Sequence, residues 1–119
     1  MENVHEQRFF TLIKNDNTEK GDVERFQLFY TIARTDELWN VVGKIYDTNS
    51  HSLKTGWRDA SYGTFSKMLQ RAAHLYNQNN EDIDTVKLFW GMDDYNSQTM
   101  INAQMIYCGL WNWESDMEW

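Results

Sequence analysis

The stretch DVERFQLFYTIAR (residues 22–34) decides the fold of this chain. Its apolar side chains recur at the i, i+3, i+4, i+7 spacing of one helix face, in Phe26, Phe29, Tyr30 and Ala33. Asp22 stands directly before them, where an N-cap carboxylate accepts a backbone N–H. The stretch therefore predicts an amphipathic helix whose apolar face lies in the core.

Helical spacing continues on both sides of this stretch. We expect further helices over 3–14, 36–46, 64–77, 83–90 and 95–108, the last with Ile101, Met105 and Ile106 facing inward. Predicted N-caps of these helices are Asn3, Asp36, Thr64, Asp84 and Asp94. The chain contains no proline, which favours helices because no backbone donor is lost. The prediction is a mainly α fold, a compact bundle of five or six short helices.

Polar segments between the helices predict the loops and the domain limits. The segments 15–21, 47–63 and 77–83 are rich in Asn, Asp, Ser, Thr and Gly. The segment 47–63 is long for a loop, so it is either functional or contains a short strand or turn. We expect one helical domain over 1–109, followed by a C-terminal arm over 110–119.

Large aromatic residues and the single cysteine are predicted to lie in the core. Trp39, Trp57 and Trp90 occur within or beside the periodic segments. Cys108 belongs to the apolar stretch MIYCGL, which indicates a buried structural thiol, and one cysteine allows no internal disulfide. No apolar run approaches the roughly 20 residues that span a bilayer, so we expect a cytoplasmic protein without a membrane partner.

Charge is divided unevenly along the chain. Residues 1–71 carry ten acids and ten bases, whereas residues 72–119 carry eight acids and one base, a net charge of −7. Four of the six Trp residues lie at or beyond position 90. An acidic surface repels phosphate and attracts Lys/Arg-rich surfaces. The sequence therefore predicts a basic protein partner rather than a nucleic acid.

The arm LWNWESDMEW mixes tryptophan with acids. It can pack against the domain as a strand or extended arm, or it can contact a partner, including a second copy of the chain. The predicted partner-binding residues are Glu81, Asp82, Asp84, Asp93, Asp94, Trp111, Trp113, Glu114, Asp116, Glu118 and Trp119.

Motifs for catalysis or metal binding are missing from the sequence. The three His residues are far apart, and no glycine-rich phosphate loop occurs. We therefore expect no catalytic residues, no metal and no cofactor. An enzyme built on dispersed residues, such as His74 with Asp93 or Asp47 with Arg58, would require a pocket that gathers them.

A series of short motifs runs through most of the chain. They are ERFQLFYTIA (24–33), DELW (36–39), KIYD (44–47), Trp57, KMLQRAAHLYN (67–77), KLFWGMDDYN (87–96) and NAQMIY (102–107). In these motifs and their order the chain resembles a family of small uncharacterised proteins of Firmicute bacteria and their phages. The resemblance implies an α-helical domain, a phage or mobile-element origin and a bacterial host cell. It supplies no activity, and the arm lies outside its pattern.

These features lead to one hypothesis and one alternative. The hypothesis is a non-enzymatic, acidic protein-binding module. Its narrower form is a phage or mobile-element inhibitor of a nucleic-acid-binding defence protein, of anti-CRISPR type, that occludes a basic groove. The alternative is a structural or regulatory accessory protein, including a homodimer, whose acidity serves solubility.

Overall fold

Residues 3–111 and 113 are described by the computed structural model. This part of the chain contains seven α-helices and one two-stranded hairpin. The elements are α1 Val4–Asp16, α2 Val23–Arg34, α3 Asp36–Asn40, α4 Val42–Ile45, β1 Tyr46–Asp47, β2 Ser52–Leu53, a 3-10 turn Trp57–Asp59, α5 Thr64–Tyr76, α6 Thr85–Phe89 and α7 Asp94–Tyr107. The predicted mainly α fold is confirmed.

Helix α2 lies at the centre of the bundle. It packs against α1, α5 and α7, and every residue from 26 to 33 is buried. Two of its buried polar side chains donate to backbone carbonyls: Gln27 Nε2 donates to the carbonyl of Ala72 (2.7 Å), and the Thr31 hydroxyl donates to the carbonyl of Gln27 (2.9 Å). These hydrogen bonds offset part of the desolvation cost of burying the helix, although the side-chain oxygen of Gln27 has no hydrogen-bond partner among the described residues.

The helix predicted over 36–46 is divided into α3 and α4. The break is at Val41, whose φ of −118° and ψ of 17° are not helical. Two β-branched valines followed by Gly43 make this segment a poor helix former, which accounts for the interruption.

The segment 47–63 contains a hairpin, as one of the two alternatives predicted. Strands β1 and β2 are antiparallel, with Tyr46 opposite Leu53 and Asp47 opposite Ser52. In the turn, Asp47 accepts the backbone N–H of Asn49 (2.8 Å), and His51 has a left-handed φ of 55°. The 3-10 turn that follows carries Trp57 into the core.

The predicted N-caps agree with the structure to within one residue. Asn3, Asp22 and Asp84 accept backbone N–H groups as N-caps. Three predicted caps are wrong by one position, because Thr35, Gly63 and Asp93 hold the cap positions expected for Asp36, Thr64 and Asp94.

Several burial predictions at the second half of the chain are wrong. Trp90 is 78% exposed, because it follows the end of α6 and Leu88 makes the core contact instead. Cys108 is exposed, because it caps the C-terminus of α7. Ile101 is also exposed, because the buried side of α7 is formed by Asn96, Thr99, Met100, Ala103 and Ile106.

Candidate functional site

The predicted acidic residues have different local roles. Asp82 holds the 81–84 loop against α5: its Oδ1 accepts from Arg71 Nε (2.8 Å), and its Oδ2 lies 3.8 Å from His74 Nε2. Asp84 accepts the backbone N–H of Val86 (2.8 Å) and starts α6. These two carboxylates are therefore fixed by the fold, although both remain exposed to solvent.

The other acids of this group also face solvent. Asp93 accepts the backbone N–H of Asn96 (2.7 Å) and starts α7. Among the described residues, no hydrogen bond or ion pair engages the carboxylates of Glu81 and Asp94. Of these five acids, only Asp82 forms an ion pair with a basic side chain among the described residues.

Two exposed apolar side chains stand among these acids. Val86 is 70% exposed and Trp90 is 78% exposed. The backbone N–H of Trp90 donates to the carbonyl of Val86 (3.0 Å), so the two residues are one helical turn apart. Lys67 Nζ donates to the carbonyl of Trp90 (2.8 Å) and fixes the end of α6 against α5. We name Asp84, Val86, Trp90, Asp93 and Asp94 the α6 surface.

The start of the C-terminal arm packs on the domain. Trp113 is 5% exposed, and its ring lies 4.6 Å from Phe9 and 4.7 Å from Phe26, centroid to centroid. Trp111 is partly exposed and meets Tyr30 edge-on at 5.6 Å. Of the two alternatives for the arm, self-packing therefore describes Trp113. The predicted residues Glu114, Asp116, Glu118 and Trp119 lie outside the described residues.

A buried polar network, which the sequence did not predict, joins α1 to the hairpin. Asp16 is 2% exposed and accepts from the hydroxyls of Thr18 and Tyr46, both at 2.7 Å. His51 Nδ1 lies 2.8 Å from the same carboxylate. Arg25 Nε donates to the Tyr46 hydroxyl (3.0 Å). These partners are up to 35 residues from Asp16 in the chain, and no sequence spacing reveals such a set.

This network is chemically saturated. Both oxygens of Asp16 have donors, and Arg25 also forms an ion pair with Asp22. Burial, together with the hydrogen bond to Asp16, raises the pKa of Tyr46 well above its ordinary value. A cavity of about 350 Å³ lies beside it, with His51 at its edge. Since the polar groups satisfy one another, the network stabilises the attachment of the hairpin.

The pairs considered for a dispersed enzyme site have other partners in the structure. His74 contacts Asp82 and the carbonyl of Asn80, at 2.7 Å for the latter. The Asp47 carboxylate accepts the backbone N–H of Asn49. Within residues 3–111 and 113, no group of three or more His, Cys, Asp or Glu side chains is arranged to hold a metal ion.

Comparison with known proteins identifies the family of this chain. Residues 1–116 match the model of DUF6075, a family of unknown function. The chain belongs to the DUF6075 family. This confirms the resemblance to an uncharacterised family. The DUF6075 match includes the first seven residues of the arm, which the quoted motifs left out, so most of the arm is a family feature rather than particular to this chain.

No curated protein and no solved structure matches the DUF6075 chain detectably. In the part that the structure describes, none of the helices has both the length and the apolar character needed to cross a bilayer.

Proposed function

We propose that this DUF6075 chain is a protein-binding module that contacts a basic partner through the α6 surface. The observation that carries the proposal is the exposure of Trp90 beside Val86, on a helix whose core contact is made by Leu88. A tryptophan in water contributes nothing to the core, whereas tryptophan is the residue most enriched at the energetic centres of interfaces. An exposed apolar pair surrounded by charge is typical of such a centre.

Charge determines the kind of partner that we propose. Asp84, Asp93 and Asp94 are exposed within a few residues of Trp90, and Lys87 is the one base after Arg71. Such a surface attracts Lys- and Arg-rich surfaces over roughly 8 Å at physiological salt and speeds the encounter. The matching partner has an apolar pocket for Trp90 inside a basic rim.

The narrower form of the proposal is an inhibitor of a nucleic-acid-binding defence protein, of anti-CRISPR type. The grooves of such proteins are basic because they bind phosphate, and an acidic surface with an aromatic anchor is suited to occlude them. The phage or mobile-element origin and the bacterial host cell follow from the family resemblance alone, and the cytoplasmic location follows from the sequence. They remain predictions.

A second candidate is an accessory protein that forms a homodimer. Two copies of Val86 and Trp90 facing one another would remove the same apolar area from water. The repulsion between two acidic surfaces opposes this arrangement, so the dimer is expected to require salt.

Binding measurements with a Trp90→Ala variant test the proposal. The tagged chain is used to capture a partner from a bacterial lysate, and the purified pair is then measured at two salt concentrations. We expect Trp90→Ala to weaken the complex about 30-fold, the loss typical of a central anchor. Asp94→Asn is expected to lower the association rate at low salt only. Tyr62→Ala is the matched control, since Tyr62 is an exposed aromatic residue in the loop before α5.

Three outcomes would contradict the proposal. The first is equal affinity of Trp90→Ala and Tyr62→Ala, and the second is affinity that does not change with salt. The third is a dimer in light scattering that Trp90→Ala dissociates while no other partner is captured, which would support the homodimer instead.

A further inference from the structure

Arg34, at the C-terminus of α2, lies close to two aromatic rings. Its guanidinium carbon lies 5.6 Å from the ring centroid of Tyr30 and 5.1 Å from that of Tyr95. The Tyr95 ring is itself fixed, because its hydroxyl donates to the carbonyl of Arg34 (2.9 Å) and lies 3.0 Å from His5 Nε2. Cation–π contacts of this kind orient the planar guanidinium group.

This guanidinium lacks an anionic partner. Among the described residues, Arg34 Nε is buried without a hydrogen-bond acceptor, and no carboxylate forms an ion pair with the group. Three of the four other arginines are paired with a carboxylate: Arg8 with Asp36, Arg25 with Asp22, and Arg71 with Asp82. A buried N–H of a charged group without an acceptor costs free energy, which a bound oxygen would remove.

Two cavities meet at Arg34 and His5, which line both. One of about 70 Å³ has aromatic walls that include Phe9, Trp111 and Trp113. The other, of about 380 Å³, is open and polar. Thr35 lines this second cavity, and its buried hydroxyl also has no hydrogen-bond partner in the part of the chain that the structure describes. Arg34 and Thr35, which each carry a buried donor without a partner, therefore line the same cavity.

We propose that Arg34 binds the carboxylate of a small organic acid. The two tyrosine rings lie close to the guanidinium, and the N–H groups at its edge are the donors that a ligand would use. The edge of a guanidinium matches a planar group with two oxygens, which is the geometry of a carboxylate. The Thr35 hydroxyl supplies a further donor beside it.

The size of the aromatic cavity and the charges around both cavities restrict the class of ligand further. The aromatic cavity of about 70 Å³ is well below the roughly 150 Å³ that holds benzene, so the apolar part is a short aliphatic chain rather than a ring. Carboxylates also line the two cavities: Glu6 in the first, and Asp36, Glu37 and Asp93 in the second. Asp36 is paired with Arg8, but the others repel negative charge. A single carboxylate is therefore favoured over a doubly charged phosphate.

An NMR titration of the full chain with butyrate tests this assignment. We expect saturable shifts of the Arg34 side-chain signal and of the Trp111 indole signal, with affinity at least tenfold weaker for butyramide, the neutral isostere, and for inorganic phosphate. Arg34→Gln should lose the binding at least tenfold. Arg34→Lys should lose it too, because a lysine keeps the charge but not the planar edge.

Arg58→Gln is the matched control. Arg58 also lies over an aromatic ring, 4.6 Å from the centroid of Trp57, but it is exposed and lines neither cavity. This variant should bind butyrate like the original chain. Equal binding of butyramide, tighter binding of phosphate, or unchanged binding by Arg34→Gln would each overturn the proposal.

Thermal melting keeps the test valid if Arg34→Gln does not fold. Butyrate should raise the melting temperature of the original chain through linkage, and butyramide should not. Trp111→Ala, which removes one wall of the aromatic cavity, should reduce that stabilisation. Identical melting with and without butyrate would overturn the proposal.

Discussion

At the scale of single residues, Asp16 is the side chain whose position is hardest to explain locally. It is the last residue of α1, where the helix dipole disfavours an acid. Its carboxylate is also removed from water, which is costly for a charge. The three donors from Thr18, Tyr46 and His51 offset both costs. Asp16 therefore acts as the point at which the hairpin is attached to the helices.

Tyr46→Phe is expected to change how stability depends on alkaline pH. Burial and the hydrogen bond to Asp16 raise the pKa of Tyr46 in the folded chain. Above about pH 10, the unfolded phenol ionises first, so stability falls as pH rises toward the folded pKa. Phenylalanine has no phenol proton to lose, so this pH dependence disappears in the variant. At neutral pH the substitution should lower the free energy of unfolding by about 1 kcal/mol, because Asp16 and Arg25 lose a hydrogen-bond partner.

Urea unfolding between pH 7 and pH 11 measures this effect. The free energies of unfolding of the original chain and of Tyr46→Phe should become more similar as the pH rises above about 10. Burial also raises the pKa of Tyr30 and Tyr76, so the variant should still lose some stability at alkaline pH. Parallel curves across the whole range would show that Tyr46 is not protected from ionisation in the folded state.

At the scale of elements, the sequence predicts a helix well and its buried side less well. In α2 the apolar residues mark the core directly, because nearly all of them are buried. In α7 two polar residues, Asn96 and Thr99, belong to the buried side, so hydropathy alone selects Ile101 wrongly. Both polar side chains are satisfied within the helix: Asn96 donates to Asp93, and Thr99 donates to the carbonyl of Tyr95.

At the candidate sites, too, the local sequence predicts some features and misses others. Of the acids predicted to bind a partner, Glu81, Asp82, Asp84, Asp93 and Asp94 are exposed, since charge has a strong preference for water. Trp90 was placed in the core, because a periodic segment does not show where its helix ends. The site at Arg34 depends on Tyr95, which is 61 residues away and is brought close by the packing of α7 on α2. Contacts of that separation cannot be predicted from local spacing.

Trp113→Ala tests whether the arm belongs to the folded domain. Its ring lies between Phe9 and Phe26, so removing it should lower the free energy of unfolding by roughly 3 kcal/mol. Trp90→Ala is the control, and it should change stability by less than about 0.5 kcal/mol because the side chain is exposed. The measurement is equilibrium unfolding in urea. Equal stability of the two variants would show that the arm contributes nothing to the core.

At the scale of the whole molecule, the interior has a large part and a small part. The large core surrounds α2 and includes residues of α1, α5 and α7 together with Trp57 and Trp113. The small one consists of Met68, Leu88 and Met100, and it is the anchor for α6. Helix α6, which carries Val86 of the α6 surface, is therefore attached to the rest of the domain by few buried side chains.

Hydrogen exchange should reveal this division. We expect the amides of α2 to exchange slowest, through global unfolding, because the helix is buried on every side. Amides of α6 should exchange much faster, through local opening. Mass spectrometry of peptides covering 23–34 and 85–90 measures both. Equal protection of the two segments would show that the molecule opens as one unit.

The exposure of Cys108 has a practical consequence. The chain holds one sulfhydryl, at the C-terminal end of α7 and five residues before Trp113. A maleimide dye would therefore attach at a single known position without any engineered cysteine. Because that position lies next to the arm, its fluorescence would report arm docking and partner capture in the unmodified sequence.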